Sequence, residues 1–338
     1  MHGLAGFTLL TDDRHTAEYF AAEYGFAQNQ LANDVPIVEL RWKESALPRS
    51  PGPGYRFHVH KAAARWYYRV ELSESGVLID GAGNRAAVPM VHHMLLHPAL
   101  RWLASFRKVL LLHAACVARN GPSLLISGAG GVGKTTTSTA LLARGDSEWR
   151  LLGDDYVFIG PHGKSYSHGT RAHLYLDLLR RFPELSDRLT AVESARLRLN
   201  WTLRTLSRDR VKIPVRVELD RMWPGRTPPK SAQPAALLLL RLSNDTQPRL
   251  EPVSSSAETA DELMSINFHE ARHFIELASG PGDWLDLWKA RERSLMAQLV
   301  SRIPSYELHL PRGTVDVEPF VLSLLEKEST GNGPAIKI

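Results

Sequence analysis

The sequence predicts an α/β protein with a small β-rich N-terminal unit and a larger domain built on a mixed sheet. Three observations carry this. Short segments at residues 36–42, 55–60 and 66–72 alternate apolar and polar side chains, as half-buried strands do. Leu95, Leu96, Leu100, Leu103 and Phe106 recur at helical spacing within residues 91–110. At residues 123–145 a short apolar strand runs into a glycine-rich loop and then a helix of small and apolar residues. The expected division is residues 1–90, residues 91–325, and a tail at 326–338.

The chain has 338 residues, 43% hydrophobic and 23% charged, which suits a soluble globular protein with a sizeable core. Its single cysteine, Cys116, excludes an internal disulfide and cysteine-rich metal sites. No apolar run reaches the roughly 18 residues of a membrane helix. The N-terminus lacks a basic start followed by an apolar stretch, so no secretory signal is expected and a cytoplasmic location follows. The net charge of +5 is uneven: residues 171–230 carry 14 basic and 7 acidic side chains, whereas residues 231–338 carry 10 and 15. The band is densest at Arg196, Arg198, Arg204, Arg208, Arg210, Lys212 and Arg216, opposed by Asp209. Such a band attracts an anionic partner: nucleotide phosphates, an acidic peptide or nucleic acid. A solvated helix face is the bland reading.

Taken in order, residues 48–55 form a Pro/Gly loop between the N-terminal strands. In the helical stretch 91–110, Pro98 either kinks the helix or starts its main part. Residues 223–234 and 279–283 read as further Pro/Gly-containing breaks, residues 235–240 as a buried strand and residues 303–308 as a late one. Residues 328–338 read as a loose tail.

The chemistry lies in residues 123–145. Here Gly128, Gly133, Lys134 and Thr135 complete the G-x-x-x-x-G-K-[ST] pattern. Glycines let backbone N–H groups approach phosphate oxygens, and the following helix N-terminus adds free donors and a favourable dipole. Gly128, Ala129, Gly130, Gly131, Val132, Gly133, Lys134, Thr135 and Thr136 are the candidate ATP contacts. Lys134 would neutralise the β- and γ-phosphates, and the Thr135 hydroxyl would ligate Mg²⁺. Downstream, apolar residues flank Asp154 and Asp155, where a Walker B element is expected. One carboxylate would hold Mg²⁺; in a kinase the other accepts the proton of the attacking hydroxyl.

Upstream of the loop stand Leu112-His113-Ala114-Ala115-Cys116-Val117 and Asn120-Gly121. The order is a histidine-bearing strand, a turn, a strand, the P-loop, a helix and then Gly153-Asp154-Asp155. It resembles the catalytic core of the HPr kinase/phosphorylase superfamily, whose nucleotide fold is shared with phosphoenolpyruvate carboxykinases. The resemblance is closest over residues 109–160, looser over 90–310 and absent over 1–85. It implies core helices packed on the sheet and ATP with Mg²⁺ as cofactors. It places His113 near the transferred phosphate, and gives Asp154 and Asp155 shared metal-binding and general-base duty without saying which does which. The chain departs from HPr kinase itself: Thr136 stands where that enzyme has an acidic residue. No Glu-Ile-Arg-Gly stretch follows the Asp pair, and Gly169-Thr170-Arg171 is the nearest. The layout is closer to short HPr-kinase-like proteins, among them kinases that tailor lasso-peptide precursors and kinases of small hydroxylated metabolites. Arg171, Arg204 and Lys212 are candidate extra phosphate or acceptor contacts, since a planar guanidinium suits a charge-spread phosphoryl group.

The expected reaction is transfer of the ATP γ-phosphate to a hydroxyl, of a Ser or Thr in a peptide or protein. A small-molecule kinase for a free amino acid or polyol is the second reading. A nucleotide-binding switch or ATPase is the third. Neither a membrane nor a nucleic acid is an expected partner, and a homo-oligomer stays open. A competing motif, His269-Glu270-Ala271-Arg272-His273, matches H-E-x-x-H but has no convincing third zinc ligand, so it reads as a surface helix pair. His92, His93 and His97 receive the same discount, and His58 and His60 read as the exposed face of a strand.

Overall fold

A computed structural model describes residues 1–27, 35–45, 53–60, 63–144, 148–208, 211–278, 280, 282–311 and 317–329. The chain begins β1 (Gly6–Leu10), α1 (Arg14–Tyr24), β2 (Ile37–Glu44), β3 (Arg56–His60), β4 (Ala64–Leu72), β5 (Gly76–Gly83) and α2 (Val88–Val91). A π turn over His92–Leu96 leads to α3 (His97–Phe106), β6 (Leu110–Leu112), β7 (Ala115–Arg119), β8 (Pro122–Ser127) and α4 (Lys134–Arg144). Next come β9 (Trp149–Gly153), β10 (Val157–Ile159), β11 (Ser165–Tyr166), β12 (Ala172–Leu174), α5 (Leu176–Arg181) and α6 (Ala191–Leu206). β13 (Val215–Val217), α7 (Leu219–Met222), β14 (Ser231–Ser243), β15 (Arg249–Pro252) and α8 (Ser256–Glu270) follow. The chain closes with α9 (Arg272–Leu277), α10 (Trp284–Arg302), β16 (Ser305–Pro311) and α11 (Glu318–Ser329). None of the described helices is long and apolar enough to cross a membrane.

The chain divides into two compact units. The first comprises Met1–Leu111, Ile159–Pro161 and Ala260–Ala297. Its sheet has the order β1-β2-β5-β4-β3. β1, β2 and β5 run parallel, and β4 and β3 complete it antiparallel. A parallel β1–β2 pair needs a crossover, and α1 supplies it. The Asp13 carboxylate caps α1, accepting from the N–H of Thr16 at 2.7 Å. The three expected strands are β2, β3 and β4, within a residue or two. Alternation buries Val38, Leu40 and Trp42 of β2 and Trp66, Tyr68 and Val70 of β4. β1, α1 and β5 were not anticipated. Within this unit Arg101 and Glu292 form a fully buried ion pair at 2.5 Å. Arg101 also donates to the carbonyl of Asn267 at 2.7 Å, and the Trp288 indole donates to Glu292 at 2.8 Å. The charges are therefore hydrogen-bonded as well as paired.

The helix expected to Leu110 ends at Phe106, because Lys108 adopts φ +56°, outside the helical region, and Leu110 already belongs to β6. Pro98 lies in the first turn of α3, directly after the π turn of His92–Leu96, so the helical run itself begins upstream of it, at Val88. His58 is half-buried, its ring 4.6 Å from that of Trp66. The buried His92 ring sits between the hydroxyls of Tyr19 and Tyr24, at 3.0 and 2.8 Å. The H-E-x-x-H motif straddles a break: α8 stops at Glu270 and α9 starts at Arg272. His269 bonds Arg272 at 2.7 Å, whereas the His273 ring stands 5.6 Å from that of His58.

The second unit comprises Leu112–Phe158, His162–Thr259 and Gln298–Ile338. Its mixed sheet is organised on the 13-residue β14, which pairs in parallel with β8 on one side and β16 on the other. β11 pairs antiparallel with the start of β14, β7 with β8, β9 with β7, and β15 with β16. Val117, Leu124, Ile126, Leu141, Trp149, Leu238 and Leu308 belong to one buried cluster. The expected break at 223–234 is shorter than anticipated, since β14 begins at Ser231. Pro234 fits inside it because the β8 register shifts between Pro234 and Ala236. α11 continues to Ser329, four residues into the tail expected from residue 326. Gly145 at the end of the strand–loop–helix stretch, residues 48–52 of the Pro/Gly loop, residues 279 and 281, Asp209 and Arg210, and residues 330–338 lie outside the described residues.

Candidate functional site

The sheet register brings the glycine-rich loop and the Asp pair to one edge. β7 is antiparallel to both β8 and β9, so β8 and β9 run in the same direction. Cys116 of β7 faces Leu125 of β8 and Gly153 of β9. Gly128 and Asp154 therefore leave the sheet from the same end, across two strand spacings of about 5 Å each.

At the end of β8, Gly128 has φ +146°, and a Cβ there would lie 2.9 Å from the Leu240 carbonyl oxygen and from a Val132 methyl. Glycine is required by both conformation and space. Ala129, Gly130 and Gly131 are exposed, so the crown of the loop is open to solvent. The Lys134 ammonium is buried and donates to the Gly128 carbonyl at 2.8 Å. The loop leads into the N-terminus of α4, where unsatisfied backbone donors suit an anion.

β9 ends at Gly153, where a Cβ would lie 2.0 Å from the Tyr156 carbonyl oxygen. This tight return points Asp154 inward. Asp154 is 5% exposed; Ser138 of α4 donates to its Oδ1 at 3.4 Å. Its Oδ2 is buried with no hydrogen-bond partner among the described residues. Burial and, next, the charge of Asp155 push the Asp154 pKa up to about 6, against the opposing pull of His173 and of the Thr135 and Ser138 hydroxyls. Asp155 is more open, with 29% of its side chain exposed, and one oxygen lies 2.9 Å from Nδ1 of His173. Arg216 Nε donates to Nε2 of the same ring at 3.1 Å. Burial, the largest influence on His173, lowers its pKa, but the charge and hydrogen bond of Asp155 outweigh it and the net direction is upward. Tyr175 is pushed up to about 12 by burial and by the charges of Asp155 and Asp154. One ligand atom each of Asp154, Asp155 and His173 lies within 4.8 Å of the others, a spacing that could hold a metal ion.

The remaining expected residues are placed as follows. His113 is buried, its ring 5.1 Å from that of Tyr156, and its carbonyl accepts from Ser127 at the end of β8. Arg171 immediately precedes β12 and is partly buried. Arg204 on α6 pairs with Asp177 at 3.0 Å and lies over the Trp201 ring. Lys212 is exposed ahead of β13. Part of the basic band is thus engaged within the unit: Arg216 with His173, Arg221 with Glu193, and Arg204 with Asp177.

Sequence reasoning did not single out Ser138, His173, Tyr175 or Arg216. Ser138 lies three residues beyond Thr135, on the same face of α4, a helical spacing that was available. Residues 172–175 alternate, burying Ala172 and Leu174 and turning His173 and Tyr175 the other way. That period-two pattern could have flagged both. No protein-family model matches the chain, and no curated protein matches it at a significant level.

Proposed function

We propose that this chain is an ATP- and Mg²⁺-dependent kinase that transfers the γ-phosphate to a hydroxyl. The observation that carries the reading is the convergence at one sheet edge of the glycine-rich loop, the α4 N-terminus and the Asp pair, with Ser138 of α4 bonded to Asp154. The expectation from the HPr-kinase-like resemblance agrees with it.

The oxygen-rich donor set fits Mg²⁺: Asp154 offers a buried carboxylate oxygen with no partner among the described residues, beside the Thr135 hydroxyl that hydrogen-bonds this carboxylate. Asp154 and Thr135 would hold the ion, which when bound neutralises charge on the β- and γ-phosphates. Lys134 exchanges its loop carbonyls for phosphate oxygens. Asp155, the more exposed carboxylate, takes the acceptor proton. The acceptor oxygen forms its bond to γ-phosphorus as the bond to the bridging β,γ-oxygen breaks, and ADP leaves with that electron pair. Positioning and electrostatics supply most of the rate, because this transition state is loose.

A peptide acceptor is favoured by the outer face of α6. Val192, Leu199, Leu203 and Leu206 are 61, 59, 41 and 78% exposed and recur along one stripe, with Arg196 and Arg198 exposed beside them. Apolar anchors flanked by arginines suit a peptide carrying apolar and acidic residues, bound more weakly as salt rises.

The test uses γ-labelled ATP, Mg²⁺ and a panel of acidic Ser/Thr peptides, free serine and polyols. Label should move to a peptide and be lost in Lys134→Ala and Asp155→Asn. Label on a polyol or free serine moves the assignment to a small-molecule kinase. Label released only as free phosphate overturns the kinase reading in favour of an ATPase or switch.

A further inference from the structure

We infer that His173 is a positioning residue for the catalytic base, held by Arg216 in the single tautomer that donates to Asp155. The inference rests on the kinase reading for its catalytic meaning, but its structural half stands on geometry alone.

The donor and acceptor capacity of each partner fixes the tautomer. Arg216 is a donor and has no acceptor capacity. Its Nε–H points at Nε2 of His173 at 3.1 Å, so that nitrogen must present a lone pair. A neutral imidazole with Nε2 unprotonated carries its proton on Nδ1. Nδ1 is the atom that faces Asp155, at 2.9 Å. The chain of donation therefore runs from Arg216 through His173 to Asp155. The opposite tautomer would set Nδ1 and the carboxylate lone pair to lone pair, and would set two N–H groups against each other at Nε2. An imidazolium keeps the Asp155 bond, and Asp155 draws the ring's pKa upward, but that form places two N–H groups face to face at Nε2, which the Arg216 charge opposes.

The local fold makes this arrangement rigid. β12 and β13 pair antiparallel with His173 directly opposite Arg216. Their neighbours Ala172, Leu174, Val215 and Val217 are buried, which fixes the face on which both polar side chains stand. The His173 side chain is only 12% exposed, so water competes poorly for its bonds.

The consequence for chemistry is orientation. A carboxylate has about four acceptor positions. The Nδ1–H bond occupies one of them and fixes the plane of the group. His173 neither gives nor receives a proton in the step. It holds Asp155 where the acceptor hydroxyl will be, and a misplaced base can lower turnover on the order of 100-fold.

The experiment combines kinetics with an imidazole spectrum on the full chain. His173→Leu should lower kcat on the order of 100-fold while leaving the KM for ATP within about twofold. His173→Asn, whose amide can donate from near the Nδ1 position, should recover about tenfold of that loss. Unlabelled ATP should displace a fluorescent ATP analogue from both variants at the same concentrations as from wild type. Independently, long-range ¹H–¹⁵N spectra of ¹⁵N-histidine protein, with His173 assigned by its loss in His173→Asn, should show Nδ1 protonated and Nε2 bare. Arg216→Met should let the second tautomer emerge. An Nε2–H tautomer or an imidazolium in wild type overturns the inference. So does a His173→Asn variant as slow as His173→Leu, or a loss confined to the KM for ATP. Absence of transfer by wild type to every acceptor overturns the kinase reading and the catalytic half with it, while the spectrum still decides the tautomer.

Discussion

Burial and the neighbouring charge of Asp155 hold the Asp154 carboxyl above the ordinary carboxylate range, and this has a measurable price in stability. Its pKa rises from an ordinary 3.8 to about 6 in the folded chain, chiefly by burial and then by the adjacent charge of Asp155. Each unit is worth about 1.4 kcal/mol, so ionising Asp154 in the folded state costs about 3 kcal/mol. Because the folded pKa is the higher one, this group favours folding most below pH 4, and that contribution disappears as pH rises through about 6. Asp154→Asn is neutral throughout. Any packing difference of its amide does not vary with pH; loss of the Asp154 charge also relaxes the His173 pKa downward, a smaller contribution to the slope because Asp154 is the least of the influences on that ring. The melting temperature of Asp154→Asn minus that of wild type, both without nucleotide or metal, should therefore climb between pH 4 and pH 7. The climb should be about 5 °C, using roughly 2 °C per kcal/mol for a chain of this size. A difference that is flat over this range, or that falls, refutes the argument that Asp154 is buried at a cost.

Further outcomes follow from other parts of the molecule. Gly153→Ala should destabilise the second unit by about 3 kcal/mol or more, because its methyl would sit 2.0 Å from the Tyr156 carbonyl oxygen; a wild-type melting curve would contradict this. Cys116 is fully buried, and burial pushes its thiol up to about 12. It should stay silent to a disulfide reagent at pH 8 until denaturant is added. Arg101→Met or Glu292→Gln alone should cost about 3–5 kcal/mol by stranding a buried partner, and replacing both with methionine should recover much of that in chemical denaturation. Equal losses in the single and double variants would show that the ion pair itself, rather than its completion, matters.

Local features of the site were legible in the sequence, and features made by distant pairing were not. The loop at Gly128–Thr135 and the Asp pair are contiguous stretches whose residue types carry their own chemistry, and both stand at the strand ends expected of them. The antiparallel β7 between β8 and β9 was foreshadowed by Asn120-Gly121, a turn dipeptide, and Asn120 indeed takes φ +51°. His173 and Arg216 are 43 residues apart and meet only through the β12–β13 register, which no local pattern specifies. The α1 helix hid behind weak amphipathicity, although Asp13 marked its start. The H-E-x-x-H spacing misled in the other direction: four residues suggest one helical turn, but the helix breaks at Ala271 between the two histidines. The arginines of residues 171–230 read as one basic band, whereas ion pairs with Asp177 and Glu193 offset the charges of Arg204 and Arg221.

The most direct test of the central claim, that the loop and the acids form one nucleotide–metal centre, is calorimetric titration of ATP into wild type and Asp154→Asn, each in Mg²⁺ and in EDTA. The account predicts that Mg²⁺ tightens ATP binding to wild type at least tenfold, about 1.4 kcal/mol, and that Asp154→Asn loses this gain while matching wild type in EDTA. Binding that ignores the metal in wild type, or a gain from Mg²⁺ that survives in Asp154→Asn, would contradict it.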